Sequence, residues 1–211
     1  MTPTAGPGRS AKKRQQILSS AIELFTSQGL PNTSMDEVAR HAGVSKQTVY
    51  AHFGSKDELF VAAIESKCVV HQMQADMFVD AAHPEKVLAD FAHHFSEMIV
   101  SPESMHVFKT CVSQADTHPD VSRLFYEAGP AHVLAMLSGY LEKVQQRGEY
   151  WFGNCHHAAV RLCLMLFGEL KLKLELGLDA GELYLEREGY VADTATMFLN
   201  AYRKGEPNLT D

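Results

Sequence analysis

The chain has 211 residues, of which 45% are hydrophobic and 21% are charged, and its formal net charge at pH 7 is −7. These values are ordinary for a soluble protein and allow one sizeable core or two small domains. They argue against a membrane protein, because the longest apolar run, residues 162–168, is far too short to cross a bilayer.

The N-terminus and the cysteines indicate a reducing compartment. Pro, Gly and Thr are frequent in the first eight residues and no apolar core follows them, so we expect no signal peptide. No C-x-x-C spacing occurs among the cysteines, which are Cys68, Cys111, Cys155 and Cys163. We therefore expect buried free thiols in a cytoplasmic protein.

The charge is unevenly distributed along the chain. Up to Lys56 there are seven basic and three acidic residues, a formal charge of +4, and the remainder carries −11. A basic end on an acidic body suits a protein that approaches DNA with that end only. The basic run at residues 9–14 is expected to be a short arm, either a solvated tail or a contact to phosphates or the minor groove.

Helical periodicity begins directly after this arm. Apolar residues recur at helical spacing over positions 17–25, and Gly29 with Pro31 predicts the end of that helix. Two short helices with a glycine between them follow. Thr33 or Ser34 can cap the first, which Gly43 ends, and Ser45 can cap the second. Two helices joined in this way predict a helix-turn-helix, whose second helix can enter the DNA major groove.

The second of these helices carries short and medium polar side chains and no acid. Such side chains offer donors to phosphates and base edges. At the start of the next helix, Lys56 is expected to hold a phosphate. The candidate DNA-binding residues are Thr33, Ser34, Ser45, Lys46, Gln47, Thr48, Tyr50, His52 and Lys56.

Residues 12–60 resemble the DNA-binding domain of the tetracycline-repressor (TetR) family. The resemblance rests on ILSSAIELFTSQGL at 17–30, TSMDEVARHAGVSKQTVYAHF at 33–53 and SKDEL at 55–59. Many members have an aromatic residue at the position of Ala51, between the tyrosine and the histidine. This difference affects which operator sequence the protein recognises. The resemblance implies a DNA-binding regulator.

The remainder of the chain predicts further helices. One is expected from residue 55 towards residue 79, and others begin at Pro84, at Pro102 and at Pro119. The helix from Pro119 is expected to be interrupted at Gly129-Pro130 and to resume as far as Gly148. An extended stretch or loop at 149–154 and two long helices, over about 156–176 and 182–203, complete the chain. The predicted fold is all-α: an N-terminal three-helix helix-turn-helix head (residues 1–56) joined to a larger C-terminal helical bundle that dimerises (residues 57–211).

The last two helices are apolar on more than one face, and few later elements exist to cover them. An intermolecular four-helix interface would supply the cover. The predicted dimer residues are Leu162, Leu166, Phe167, Leu170, Val191, Thr194, Phe198 and Tyr202.

Residues 116 to about 148 resemble the AefR-like group of TetR-family C-terminal domains, through ADTHPDVSRLFYEAGP followed by LxxYL and RG. In this family a small molecule enters the C-terminal helical domain and changes the separation of two reading heads. The resemblance thus implies a homodimer on a palindromic double-stranded operator, released by an effector.

Large apolar or adaptable side chains, with a few polar groups beside them, could form the effector cavity. The candidate ligand-binding residues are Phe91, His94, Phe95, Met98, His106, Phe108, Arg123, Phe125, Tyr126, Met136, Trp151 and Met165. We expect a small, largely apolar effector that lowers operator affinity.

Two rival functions were weighed against a ligand-responsive repressor. Asp90-x-x-His93 and Glu103-x-x-His106 have the spacing of helical di-iron sites, and His93 and Glu97 form an i,i+4 pair. A di-iron site needs two further inward carboxylates, so we expect no metal and no cofactor. A regulator of the same fold that senses a metal or redox state through His and Cys residues stays the alternative. An enzyme is not expected, since no nucleophile elbow, phosphate-binding loop or paired zinc motif occurs.

Overall fold

The structure, a computed structural model, describes residues 8–70 and 75–204, with the backbone alone for residues 9 and 67–70. Its α-helices are α1 (Arg9–Asn32), α2 (Met35–His41), α3 (Lys46–Phe53), α4 (Lys56–Val70), α5 (Pro84–Val100), α6 (Pro102–Ser113), α7 (Pro119–Tyr126), α8 (His132–Gln146), α9 (Cys155–Glu175) and α10 (Gly181–Tyr202). A 3-10 turn occupies Ala75–Phe78, and a π-helical turn occupies Glu127–Ala131. The predicted all-α fold, with an N-terminal helix-turn-helix and a helical C-terminal part, is confirmed.

The chain forms two compact units. One comprises the residues up to Lys67 together with His106–Gly129, and the other comprises Cys68–Met105 and the residues from Pro130 onwards. The first unit contains more of the chain than the predicted head, because α6 and α7 contribute to its core. Cys111 and Val121 are buried in the same apolar cluster as Ile17 and Phe60. The functional division after residue 56 stays a prediction.

Three predicted boundaries differ from the observed ones. The basic run at 9–14 is the first part of α1 rather than an arm. Gly29 leaves helical geometry at φ 80°, but α1 continues to Asn32. Gly129-Pro130 does not interrupt the chain's helical path, because a wider π-turn accommodates a proline that has no N–H to donate. The predicted continuation of α4 through Met73 lies outside the described residues.

The core of the second unit is built mainly from α5, α8, α9 and α10. Phe91, Leu88, Leu137 and Leu162 are fully buried in one cluster. Gly168 interrupts α9 at φ 54°, close to the ring of Tyr190. The two long final helices are therefore packed against other helices of the same chain. Across the described residues, no helix combines the length and apolarity that crossing a membrane requires.

The segment after α8 is fastened to the end of α10 by a buried tyrosine. Tyr150 forms an antiparallel bridge with Arg203, and its hydroxyl donates to Glu85 Oε1 over 2.7 Å. Arg203 Nη2 donates to the Tyr150 hydroxyl (2.8 Å) and to Glu85 (3.0 Å). This network connects the start of α5 with the end of α10, and it holds the pKa of Glu85 below its usual range, chiefly through the Tyr150 hydrogen bond.

We expect Tyr150→Phe to lower the free energy of unfolding by about 1 kcal/mol at neutral pH. Because the folded-state pKa of Glu85 is lowered, its stabilisation is present above the unfolded carboxyl pKa and is lost as pH falls through the folded one. The decrease in the free energy of unfolding caused by Tyr150→Phe, measured in urea titrations, should therefore be smaller at pH 4 than at pH 7. Tyr140→Phe is the control, since that hydroxyl donates to the Asp80 carbonyl rather than to a carboxylate. Equal losses for Tyr150→Phe at both pH values would contradict this assignment.

Candidate nucleic-acid interface

The first short helix, α2, has well-defined ends. Ser34 Oγ accepts from the Glu37 N–H over 3.1 Å, so Ser34 rather than Thr33 is the cap. At the other end Gly43 adopts φ 65°, and the Val44 N–H donates to the Ala39 carbonyl over 3.0 Å. A residue without a β-carbon tolerates this left-handed geometry, which closes the helix and turns the chain into α3.

The second short helix, α3, is anchored from one side. Ser45 Oγ accepts from the Thr48 N–H over 3.2 Å, which confirms the predicted cap. Val49 is fully buried and Phe53 is 4% exposed, one turn apart on the same face. Gly54, also at φ 65°, ends the helix. With one face fixed in the core, the remaining side chains of α3 are directed outwards.

The outward face of α3 is polar and lacks acids. Lys46, Gln47 and Tyr50 are exposed, whereas Thr48 and His52 are half-buried. Lys46 Nζ lies 2.8 Å from Asp36 Oδ1. It also lies 5.9 Å from the centre of the Tyr50 ring. The hydrogen bond that the Lys46 ammonium donates to Asp36 raises the pKa of Lys46, so the ammonium stays charged. Donors for phosphates and base edges therefore stand together on one exposed surface.

Two predicted DNA-binding residues have other partners. Thr33 is 2% exposed and its hydroxyl donates to the Gly29 carbonyl over 2.8 Å, so its side chain does not belong to this surface. Lys56 Nζ donates to the Leu30 carbonyl over 2.9 Å, where it satisfies the C-terminal end of α1. The Thr33 bond is local and spans four residues, whereas the Lys56 bond joins residues 26 positions apart, which periodicity could not reveal.

Two residues near this surface are absent from the list of candidate DNA-binding residues, although one of them, Arg14, belongs to the basic run 9–14 that was expected as a tail or a phosphate contact. The Arg14 guanidinium lies 5.0 Å from the centre of the Phe53 ring, which places a cation of α1 beside the end of α3. Arg14 is itself exposed, and its position one turn before the buried Leu18 was the available signal. The other is Asp36, the partner of Lys46, which the sequence marked only as a residue of the first turn of α2.

The candidate effector residues are divided between the two units. His106, Phe108, Arg123, Phe125 and Tyr126 belong to the first unit, and the other seven belong to the second. In the second unit the apolar cluster brings together Phe91, Phe95, Met98, Met136 and Met165.

Four of the candidate effector residues are exposed rather than enclosed in an apolar core: His106, Arg123, Tyr126 and Trp151. Arg123 pairs with Glu127 over 3.2 Å. Trp151 is 61% exposed. These side chains do not meet the expectation of an enclosed apolar cavity.

Most of the predicted dimer residues are buried within their own chain. Six are less than 9% exposed: Leu162, Leu166, Leu170, Val191, Thr194 and Phe198. A side chain that is already covered cannot be the contact surface, so this assignment is corrected. The exposed apolar residues of α9 and α10 lie on other faces of the two helices, and they include Leu164 (58%), Leu172 (54%), Leu185 (87%) and Met197 (56%).

In helix-turn-helix DNA-binding proteins, the recognition helix packs one face on the protein core and presents a polar face to the DNA. The α3 helix has this arrangement. Two family models match the chain: "Bacterial regulatory proteins, tetR family" over residues 17–63, and "AefR-like transcriptional repressor, C-terminal domain" over residues 86–204. The chain therefore belongs to the TetR family of transcriptional regulators, with an AefR-like C-terminal domain.

Similar proteins agree with this membership. The HTH-type transcriptional repressor BepR of Brucella suis biovar 1 (strain 1330) is 26% identical over 167 residues, covering 75% of this chain and 78% of BepR. A TetR-family regulator from Mesorhizobium loti MAFF303099 has a TM-score of 0.73 and 27% identity, covering 94% of this chain and all of that one. The Flavonoid-responsive Regulator FrrA has a TM-score of 0.68 and 29% identity, covering 92% and 99%. Other curated relatives match over 67 residues at 37–39% identity, and the chain spans only 30–48% of their length.

We expect Tyr50→Ala to weaken binding to a selected operator by about tenfold, as the loss of one good base or stacking contact would. The fold should be retained because Tyr50 is 43% exposed. Fluorescence anisotropy with a labelled duplex measures the affinity. Tyr126→Ala is a matched control, since Tyr126 is 54% exposed but belongs to α7. Lys56→Ala should differ from both by lowering the melting temperature, because it removes the shorter of the two hydrogen bonds to the Leu30 carbonyl, which also accepts from the Thr33 N–H. Unchanged binding by Tyr50→Ala would remove α3 from the interface.

Proposed function

We propose that this protein is a repressor that binds a palindromic operator as a homodimer and leaves it when a small, largely apolar effector binds. The observation that carries the DNA-binding part is the fixed orientation of α3. The side chains of Val49 and Phe53 are buried in the core, so Lys46, Gln47 and Tyr50 face outwards. The repressor role is supported by the AefR-like domain and by the similarity to BepR.

Ser34, Ser45, Thr48 and His52 complete the proposed reading surface. The two serines are exposed caps at helix N-termini, where side-chain and backbone donors can approach a phosphate. Thr48 and His52 lie on either side of Tyr50 along α3. A protein that works on DNA in this way needs no catalytic group, and its proposed location is the cytoplasm, where bacterial DNA is accessible.

The proposed homodimer uses the exposed apolar faces of α9 and α10. Leu164 and Leu172 are exposed on α9, on either side of the interruption at Gly168, and Leu185 and Met197 supply exposed apolar surface on α10. Apolar side chains left in water on two long neighbouring helices favour association. Two-fold symmetry would place two heads on two half-sites of a palindrome.

We expect Leu164→Glu to shift the protein from dimer to monomer, because a two-fold interface receives the new charge twice. Sedimentation velocity measures the change. Val112→Glu is a matched control, since Val112 is also 58% exposed but lies on α6. Leu166→Glu should instead unfold the chain, because Leu166 is 3% exposed inside its own core. A Leu164→Glu chain that stays dimeric would exclude this face.

The proposed effector site lies among the apolar residues of the second unit. Phe91 and Phe95 stack at 5.3 Å between ring centres, and three methionines pack around this cluster: Met98, Met136 and Met165. Methionine side chains adapt readily to an apolar guest, because they are unbranched and polarisable. Similarity to the Flavonoid-responsive Regulator FrrA supports planar aromatic molecules as the first compounds to test.

We expect flavone, the flavonoid parent compound without hydroxyl groups, to raise the melting temperature and to lower operator affinity, since a ligand shifts a two-state equilibrium only towards the state that it binds more tightly. Met136→Trp should weaken both effects by filling space in the cluster. Leu178→Trp is the control, because it adds bulk at an exposed position between α9 and α10. A flavonoid or other apolar ligand that stabilises the protein yet leaves operator affinity unchanged would contradict the proposed switch.

The redox version of the alternative is disfavoured by the three cysteines whose side chains are described. Cys111, Cys155 and Cys163 are free and buried. Burial raises the pKa of Cys111 to about 11 and that of Cys163 to about 12. Since the thiolate is the reactive form, these thiols are poorly suited to sense oxidants.

A further inference from the structure

Three metal-ligating side chains meet on one side of α5, in the second unit. They are His93, His94 and Glu97, and one donor atom from each lies within 4.8 Å of the others. All three residues are half-buried, so the cluster is supported by its surroundings and open to solvent. His93 and Glu97 are one helical turn apart and share a face.

The spacing between His93 and Glu97 suits a bound cation better than a hydrogen bond. His93 Nε2 and Glu97 Oε2 are 3.7 Å apart, which exceeds the normal range for a hydrogen bond. Two metal–ligand bonds of about 2.0–2.1 Å, meeting at a roughly tetrahedral or wider angle, hold their donor atoms roughly 3.4–3.7 Å apart. An ion could therefore bridge the two side chains without a change in the helix backbone.

His94 supplies the third donor. Its ring lies 5.2 Å from the His93 ring between centroids, at an interplanar angle of 76°. Neighbouring residues on a helix point about 100° apart, and here both rings turn towards Glu97. One His94 nitrogen already lies within 4.8 Å of the donor atoms of His93 and Glu97, so His94 is the third ligand available to an ion held by the other two.

A buried arginine orients the carboxylate. Arg187 Nη2 lies 3.5 Å from Glu97 Oε1, and its side chain is only 14% exposed. Its other terminal nitrogen donates to Ser96 Oγ over 3.1 Å, and Ser96 Oγ donates to the His93 carbonyl over 2.9 Å. Arg187 thus occupies one carboxylate oxygen and leaves the other facing His93. Its positive charge weakens attraction for a cation, whereas its fixed orientation of Glu97 favours binding.

We propose that His93, His94 and Glu97 bind one divalent transition-metal ion. Two imidazoles and one carboxylate favour an ion such as Zn²⁺ over Mg²⁺ or Ca²⁺, which prefer oxygen ligands. Solvent completes the coordination on the open side. The sequence favoured no metal site because the paired motifs of a di-iron protein are incomplete in it, whereas this site needs only three residues of one helix. The proposed metal site does not depend on the proposed operator or effector.

The test is isothermal titration of ZnCl₂ into the untagged full-length protein, with Co²⁺ absorption as a second readout of coordination. We expect one ion per chain and a zinc-dependent rise in melting temperature. His93→Ala, His94→Ala and Glu97→Gln should each weaken binding by about tenfold or more, since even an outer-shell change costs that much. The matched control is the double variant of His156 and His157 to alanine. These are also adjacent histidines, on α9, with ring centroids 6.3 Å apart, and their loss should leave binding unchanged.

Three results would overturn the proposal. Absence of zinc uptake at millimolar concentration is the first. Binding that survives all three substitutions on α5 is the second, and binding that disappears in the His156/His157 variant is the third. If only His94→Ala has no effect, the assignment of His94 as a ligand is wrong. Circular dichroism of each variant excludes unfolding as the cause of lost binding. None of these measurements involves DNA, so their failure leaves the proposed repressor function standing.

Discussion

The orientation of α3 depends on two side chains, Val49 and Phe53. An eight-residue helix is too short to be stable by itself in water, so its position is set by the core into which these residues are inserted. Phe53 also receives the Arg14 guanidinium from α1. Burial of about one valine and one phenylalanine is worth a few kcal/mol. That stabilisation fixes which residues of the helix face outwards, and with them the chemistry presented to DNA.

Local signals predicted the elements of this head well. A helix cap depends on a side chain and a backbone N–H three residues later, so the sequence could place Ser45 and could restrict the cap of α2 to Thr33 or Ser34. The roles of Thr33 and Lys56 could not be obtained in the same way. The Thr33 hydroxyl donates to the Gly29 carbonyl, four residues earlier, instead of capping α2. The Lys56 ammonium donates to the Leu30 carbonyl, 26 residues away, and only tertiary packing brings these two groups together.

The C-terminal helices show a second limit of sequence reasoning. The apolar stripe through Leu162, Leu166 and Phe198 was correctly recognised as a surface that requires cover. Periodicity does not say whether the cover comes from the same chain or from another copy. In the structure α5 and α8 of the same chain cover that stripe, and Leu164 and Met197 on other faces are left exposed. The distribution of the effector candidates over two units was equally invisible, because it depends on where α6 and α7 pack.

The pairing of Lys46 with Asp36 has a consequence for the thermodynamics of DNA binding. A lysine that meets a phosphate ordinarily displaces condensed cations from the duplex, and their release contributes favourable entropy. Asp36 holds the Lys46 ammonium at 2.8 Å before any DNA arrives. Contact with a phosphate would then exchange one anion for another, and Asp36 would be left to attract a cation from solution. The net number of ions released would be smaller than the count of basic residues at the interface implies, and α3 would rely more on its uncharged polar groups.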